Sequence, residues 1–188
     1  MNKTICVFCG SSAGNDKIYE TVTINFAKEI VKNNLTLIYG GGNFGIMGIL
    51  SDNIINNGGK VIGVIPKFLA DKNLGNDKIT EMKVVKDMHI RKKTMYELSD
   101  YFVALPGGIG TLEEITEILT WKQLSLHKKP CALLNINNFF DPLVEFLKSA
   151  VNNGFMKQSH LDNLIIENDY TQLINKLQNY KFNQEGKF

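Results

Sequence analysis

The chain has 188 residues, 44% of them hydrophobic and 21% charged, with a formal net charge of +2. A balance so near neutral excludes the clustered excess of one sign that binding to nucleic acid or a membrane surface leaves in a sequence. The apolar runs are far shorter than the ~20 residues of a transmembrane helix. The opening MNKTICVFCGSS lacks the apolar core of a signal peptide, so the expected location is cytoplasmic.

Residues 4–9 read as a buried strand. Within it Cys6-Val-Phe-Cys9 has the spacing of a redox pair, but such a pair needs a helix start and an exposed thiol; buried thiols are expected instead. A helix follows over 16–33, with Tyr19, Val22, Phe26 and Ile30 on one face. Residues 35–39 form a second strand, followed by a glycine loop and a helix that Gly58-Gly59 stops near 57. Strand 60–65 is closed by Pro66. Residues 67–81 show no period and several turn formers, which predicts a long loop. Then come a short strand (82–86), a helix (88–98), a buried strand (101–105) and a helix (111–124). A strand (131–135), a helix (139–152), a last strand (163–167) and a closing helix (171–180) complete the pattern. Residues 1–180 are thus one domain, and 181–188 a flexible tail.

This alternation specifies an α/β fold, a doubly wound and mainly parallel sheet with helices on both faces. Right-handed crossovers then bring every strand-to-helix loop to one edge, where such sheets bind ligands.

Three of those loops are rich in small residues: Gly10-Ser11-Ser12-Ala13-Gly14, Gly40-Gly41-Gly42-Asn43-Phe44-Gly45 and Pro106-Gly107-Gly108-Ile109-Gly110-Thr111. Backbone N–H groups at helix starts attract anions, so a phosphate-bearing ligand is expected there, touching Ser12, Gly41 and Gly42. Gly40-x-Gly42-x-x-Gly45 matches the dinucleotide fingerprint in form, but it follows the second strand and has no acid about 20 residues on. The Walker pattern is absent. A smaller nucleotide suits the residues better than NAD or a triphosphate.

The basic residues are twenty Lys and one Arg, Arg91. On a helix it shares the stripe of Met88, Met95 and Leu98, so the one guanidinium points with the apolar face, toward a buried anion such as Glu114 or a ligand phosphate. Glu114 falls at the border of the next helix, beside Ile118 and Trp121 and next to a core face of Leu112, Ile115 and Leu119. There its ionisation can be tuned. Thr111-x-x-Glu114 also has the form of a capping box.

PGGIGTLEE, DMHIRK and GGGNFGIMG, in that spacing relative to CVFCGSS, CALLN and the NNGF stretch at 152–155, resemble the LOG family of cytokinin riboside 5′-monophosphate phosphoribohydrolases. The resemblance implies a Rossmann-like fold, a homodimer, and no metal or cofactor. It makes Arg91 and Glu114 the catalytic pair, puts Lys92 beside Arg91, and gives substrate contacts to Gly108, Ile109, Gly110, Thr111 and Thr120. In the 67–81 loop the chain departs from the pattern, with Asn73 and Asp77 near the place where an acid would meet the ligand. His89, His127 and His160 have no partners at metal-ligand spacing.

The implied activity is hydrolysis of the N-glycosidic bond of an adenine or N6-substituted adenine nucleoside 5′-monophosphate. The alternative is a non-catalytic nucleotide or cofactor carrier, which needs the glycines but not Glu114. A decarboxylase, a label sometimes given to the family, needs a pyridoxal Schiff-base lysine in a supporting site, and no lysine shows such a setting in the sequence.

Overall fold

Strand β1 (Thr4–Phe8) lies mid-sheet in the computed structural model, which describes residues 2–182. Six further strands complete the sheet: β2 (Thr36–Tyr39), β3 (Lys60–Pro66), β4 (Glu81–Val85), β5 (Tyr101–Ala104), β6 (Cys131–Leu134) and β7 (Leu164–Glu167). Their order is β4-β3-β2-β1-β5-β6-β7 and every pairing is parallel. Order reverses between β1 and β5, which pair from Ile5↔Tyr101 to Phe8↔Ala104.

Both faces are covered, as a parallel sheet requires. Ile5 and Val7 point to one side, against α1 (Lys17–Lys32), α2 (Gly45–Asn56) and α8 (Tyr170–Gln178), which supply Phe26, Ile30, Leu50, Ile54, Leu173 and Leu177. Cys6 and Phe8 point to the other, against α4 (Met88–Leu98), α5 (Ile109–Gln123) and α6 (Asp141–Asn152), which supply Met95, Ile115, Ile118 and Val144. All three cysteines are buried. Burial pushes the thiols of Cys6 and Cys9 far above their ordinary range, and that of Cys131 up to about 12.

Several boundaries differ from expectation. The 67–81 stretch is not all loop, since Lys67–Ala70 form a short helix, α3, directly after Pro66. A further short helix, α7 (Gln158–Asp162), was not foreseen. The helix expected from 139 begins at Asp141, with Pro142 in its first turn and a 3-10 turn (Ile136–Asn138) before it. Residues 183–188 of the expected tail lie outside the described residues.

The largest correction concerns α5. It starts at Ile109, two residues early, with Gly108 as N-cap and no side-chain cap. The capping box is therefore not formed: Thr111 is already inside the helix and buried. The buried stripe is Thr111, Ile115, Ile118 and Lys122, while Leu112 faces outward.

Candidate active site

The three loops meet at the carboxyl edge around β1. Gly10 N–H donates to the Pro106 carbonyl at 3.1 Å, which joins the first loop to the third. The first loop joins the second through the start of α2: Ile46 N–H donates to Ser12 O at 3.4 Å and Met47 N–H to Gly10 O at 3.3 Å. Gly45, at φ +58°, makes this approach possible, because a Cβ there would lie 2.4 Å from the Ser11 carbonyl carbon. The N-terminus of α2 is thus spent inside the protein. These bonds clamp it to the first loop.

The N-terminus of α5 is different. The N–H groups of Ile109, Gly110 and Thr111 have no backbone acceptor among the described residues. Ile109 is 82% exposed, and no heavy atom lies within 4 Å of where a Cβ on Gly108 or Gly110 would be. An anion approaching here meets N–H donors and the positive end of a 15-residue helix.

Two hollows flank Ser11. One, of about 290 Å³, lies between the first and third loops and is walled by Tyr19 and Phe139, whose rings meet edge-on at 6.1 Å. The other, of about 490 Å³, is lined by Gly40, Gly42, Phe44, Met47, Leu69, Leu74 and Arg91. The apolar walls of this second hollow come partly from α3 and the turn after it. That turn is tied to the glycine loop by Asn43 N–H to Leu74 O at 3.3 Å and Asn76 N–H to Gly41 O at 2.9 Å.

Arg91 is 8% exposed. Asp87 caps α4 by accepting from Ile90 N–H at 2.9 Å, which fixes the turn that carries Arg91. Nε donates to the Val64 carbonyl at 3.1 Å, and Nη1 donates to Glu114 Oε1 at 2.6 Å. Nη2 lies against Gly40, where a Cβ would stand 2.2 Å away. Burial raises the Glu114 carboxyl above the ordinary glutamate range, although Arg91 pulls it down. Glu114 Oε2 has no hydrogen-bond partner among the described residues. Arg91 lines the larger hollow, whereas Glu114, its partner and a carboxylate costly to ionise, lines neither.

The other expected residues divide. Ser12, Gly42 and Gly108 line the hollows. Gly41 instead turns against Ile65 and Met82. Lys92 points along α5, donating to Glu113 at 2.5 Å and Glu117 at 3.0 Å. Thr120 is exposed near the far end of α5, in a separate hollow. Asn73 and Asp77 line a different surface dent.

Comparison with known proteins adds to this geometry. The chain is 45% identical over 178 residues to "Probable cytokinin riboside 5′-monophosphate phosphoribohydrolase LOGL2" of Oryza sativa subsp. japonica, covering 95% of this chain and 73% of that protein. It is 44% identical to "Cytokinin riboside 5′-monophosphate phosphoribohydrolase LOG1" of Arabidopsis thaliana, covering 95% and 84%. The chain belongs to the LOG family.

Residues 47–177 of this LOG-family chain also match a family model described as "Possible lysine decarboxylase". Among solved structures, the molybdenum cofactor binding protein of Rippkaea orientalis superposes with a TM-score of 0.73 at 20% identity, covering 95% of this chain and 97% of that one. The molybdenum cofactor carrier protein of Chlamydomonas reinhardtii gives 0.70 at 20% identity, covering 95% and 98%. At such identity these two share the fold with the LOG-family chain and no more. Residues that sequence reasoning missed are Tyr19, Phe139, Phe44, Leu69 and Leu74. Tyr19 was placed on the core face of α1, and nothing in its spacing separates a core aromatic from a crevice wall.

Proposed function

We propose that this chain hydrolyses the bond between the base and C1′ of an adenine or N6-substituted adenine nucleoside 5′-monophosphate, releasing free base and ribose 5-phosphate. The observation that carries the reading is the buried Arg91–Glu114 pair beside the open first turn of α5, in a chain 44–45% identical to relatives named for that reaction.

The 5′-phosphate binds at the start of α5, where Gly108, Ile109, Gly110 and Thr111 offer backbone N–H groups. Binding energy from this remote group positions C1′. As the C1′–N bond breaks, its electron pair leaves with the base, and positive charge grows on the ribose. Glu114 stabilises that charge and takes a proton from the attacking water, whose oxygen bonds to C1′. The departing base takes a proton from solvent and Glu114 returns its own to solvent, so that one water is consumed in all. Arg91 keeps the Glu114 carboxylate in place, and the apolar wall of Phe44, Met47, Leu69 and Leu74 receives the base and any N6 substituent. Met95 is buried in the protein's own core and Trp121 packs against that core, so neither serves the base. Lys92 acts through Glu113 and Glu117, bracing α4 on α5.

The working form is a homodimer in the cytoplasm. No helix among the described residues is long and apolar enough to cross a membrane. The first turns of α4 and α5 leave Met88, Ile90, Ile109 and Leu112 exposed, an apolar set that a second copy would cover. Sedimentation at micromolar concentration tests this, a monomer being the contrary result. A pure carrier would keep the glycine loops but has no use for a carboxylate that burial makes costly to ionise. Chromatography of base released from AMP, N6-isopentenyl-AMP and the two nucleosides decides between the readings. Far more base from the nucleotides than from the nucleosides is expected, and no base from any of the four would favour the carrier.

A further inference from the structure

The last turn of α5 holds a feature that the glycosidase chemistry does not use. Lys122 is 5% exposed, and its contacts among the described residues are a carbonyl and aromatic rings rather than a carboxylate. Its Nζ donates to the Asn163 carbonyl at 2.9 Å and lies 4.3 Å from the centre of the Tyr180 ring. Burial lowers its pKa below the usual lysine range. Buried cations are normally matched by an anion, and one carbonyl with the Tyr180 ring and the more distant Phe182 ring leaves this ammonium with unused donor capacity.

Lys122 lines a hollow of about 170 Å³ whose other walls include Leu119, Leu147, Met156, Leu164 and Phe182. An apolar cavity of ~150 Å³ holds a benzene ring. Size and lining therefore suit a small ring or branched alkyl group, and the lysine suits one negative charge at its end. The hollow shares no lining residue with the two at the carboxyl edge of the sheet. Lys122 stands eight residues beyond Glu114, about 12 Å along the helix.

We propose that this hollow is a second ligand site, taking a small organic monocarboxylate with its apolar body among Leu119, Leu147 and Met156 and its carboxylate on Lys122 Nζ. A monoanion matches the single ammonium, and the apolar walls match an apolar body. Among the described residues Lys122 is the one buried lysine. The hollow is too small for pyridoxal phosphate, so its burial does not revive a decarboxylase.

Benzoate and its uncharged isostere benzamide are the probes, with binding followed by saturation-transfer NMR and titration calorimetry on the whole chain. Benzoate is expected to bind at least tenfold more tightly than benzamide, and AMP should not displace it. Lys122→Met should erase the preference for benzoate. Met156→Trp, which fills the hollow but keeps the lysine, should abolish binding of both, and it decides the matter if Lys122→Met does not fold. Absence of benzoate binding, equal binding of the two probes, displacement by AMP, unchanged preference in Lys122→Met or retained binding in Met156→Trp would each overturn the proposal.

Discussion

Gly40 and Arg91 fit only as a pair, since a Cβ on residue 40 would stand 2.2 Å from Nη2. The second glycine loop is therefore the wall that holds one branch of the guanidinium, while Val64 O and Glu114 hold the others. Gly40→Ala should push Arg91 off Glu114 and lower kcat by about 100-fold, the scale of a displacement near 1 Å in a catalytic group. Gly58→Ala is the control: at φ +78° with no atom within 4 Å of the new Cβ, it should cost about 1 kcal/mol of backbone strain and leave kcat unchanged. Steady-state kinetics and melting curves of the two variants make the comparison.

Glu114→Gln should abolish turnover without destabilising the fold. Ionising this carboxyl is harder in the folded chain than in water, so a neutral isostere is no worse for stability at neutral pH. Loss of a helix cap would instead lower stability by about 1 kcal/mol. A melting temperature equal to or above wild type, together with lost base release, is the expected pair of results.

Arg91→Lys keeps the charge but cannot reach Val64 O and Glu114 together, because only the guanidinium fork spans both. Turnover should fall at least tenfold, and near-normal rates would remove Arg91 from the mechanism.

The pH dependence follows from the same carboxyl. Its folded pKa is raised, so the protonated form is favoured on folding. Stability from this source is complete below the unfolded value, about 4.3, and is lost as pH rises through the folded one. Activity, which needs the ionised form, should climb over an acid limb lying above the ordinary glutamate range. In Arg91→Met the opposing pull of the guanidinium is gone while burial remains. The limb of log(kcat/KM) against pH should therefore move to still higher pH in whatever residual activity survives.

Gly110→Asp puts a carboxylate where the 5′-phosphate is expected, at a position with room for a side chain. KM for AMP should rise about tenfold, while the poor turnover of adenosine should be unaffected. Equal effects on the two substrates would detach the start of α5 from phosphate binding.

Much of this architecture was legible in the sequence, because strand and helix periods are local properties. The alternation implied a parallel sheet with its loops on one edge, and Arg91 does turn inward with Met95, although Met88 at the head of the expected stripe is exposed. What was not legible depends on distant partners. Thr111-x-x-Glu114 satisfies a capping pattern in form, but Arg91 claims the carboxylate from another helix, and no local rule registers that competition. The second glycine loop looked as ready for an anion as the third, but the carbonyls of Gly10 and Ser12, more than thirty residues upstream, take the N–H groups of Met47 and Ile46 behind it. Leu69 and Leu74 lacked a period because α3 has a single turn, too short to show one.

The central place of β1 has a consequence for how the protein comes into being. During synthesis its β2 neighbour emerges within some thirty residues, but its β5 neighbour, paired at Ile5↔Tyr101, only after nearly a hundred. Residues through Val85 can collapse into four adjacent strands while the ribosome is still making the rest. Arg91 and the start of α5 arrive after that half-sheet, and the long loop closure that seats β5 is a slow, non-local event. Binding and catalytic competence therefore appear together and late, so a truncated or stalled chain holds structure without a working crevice.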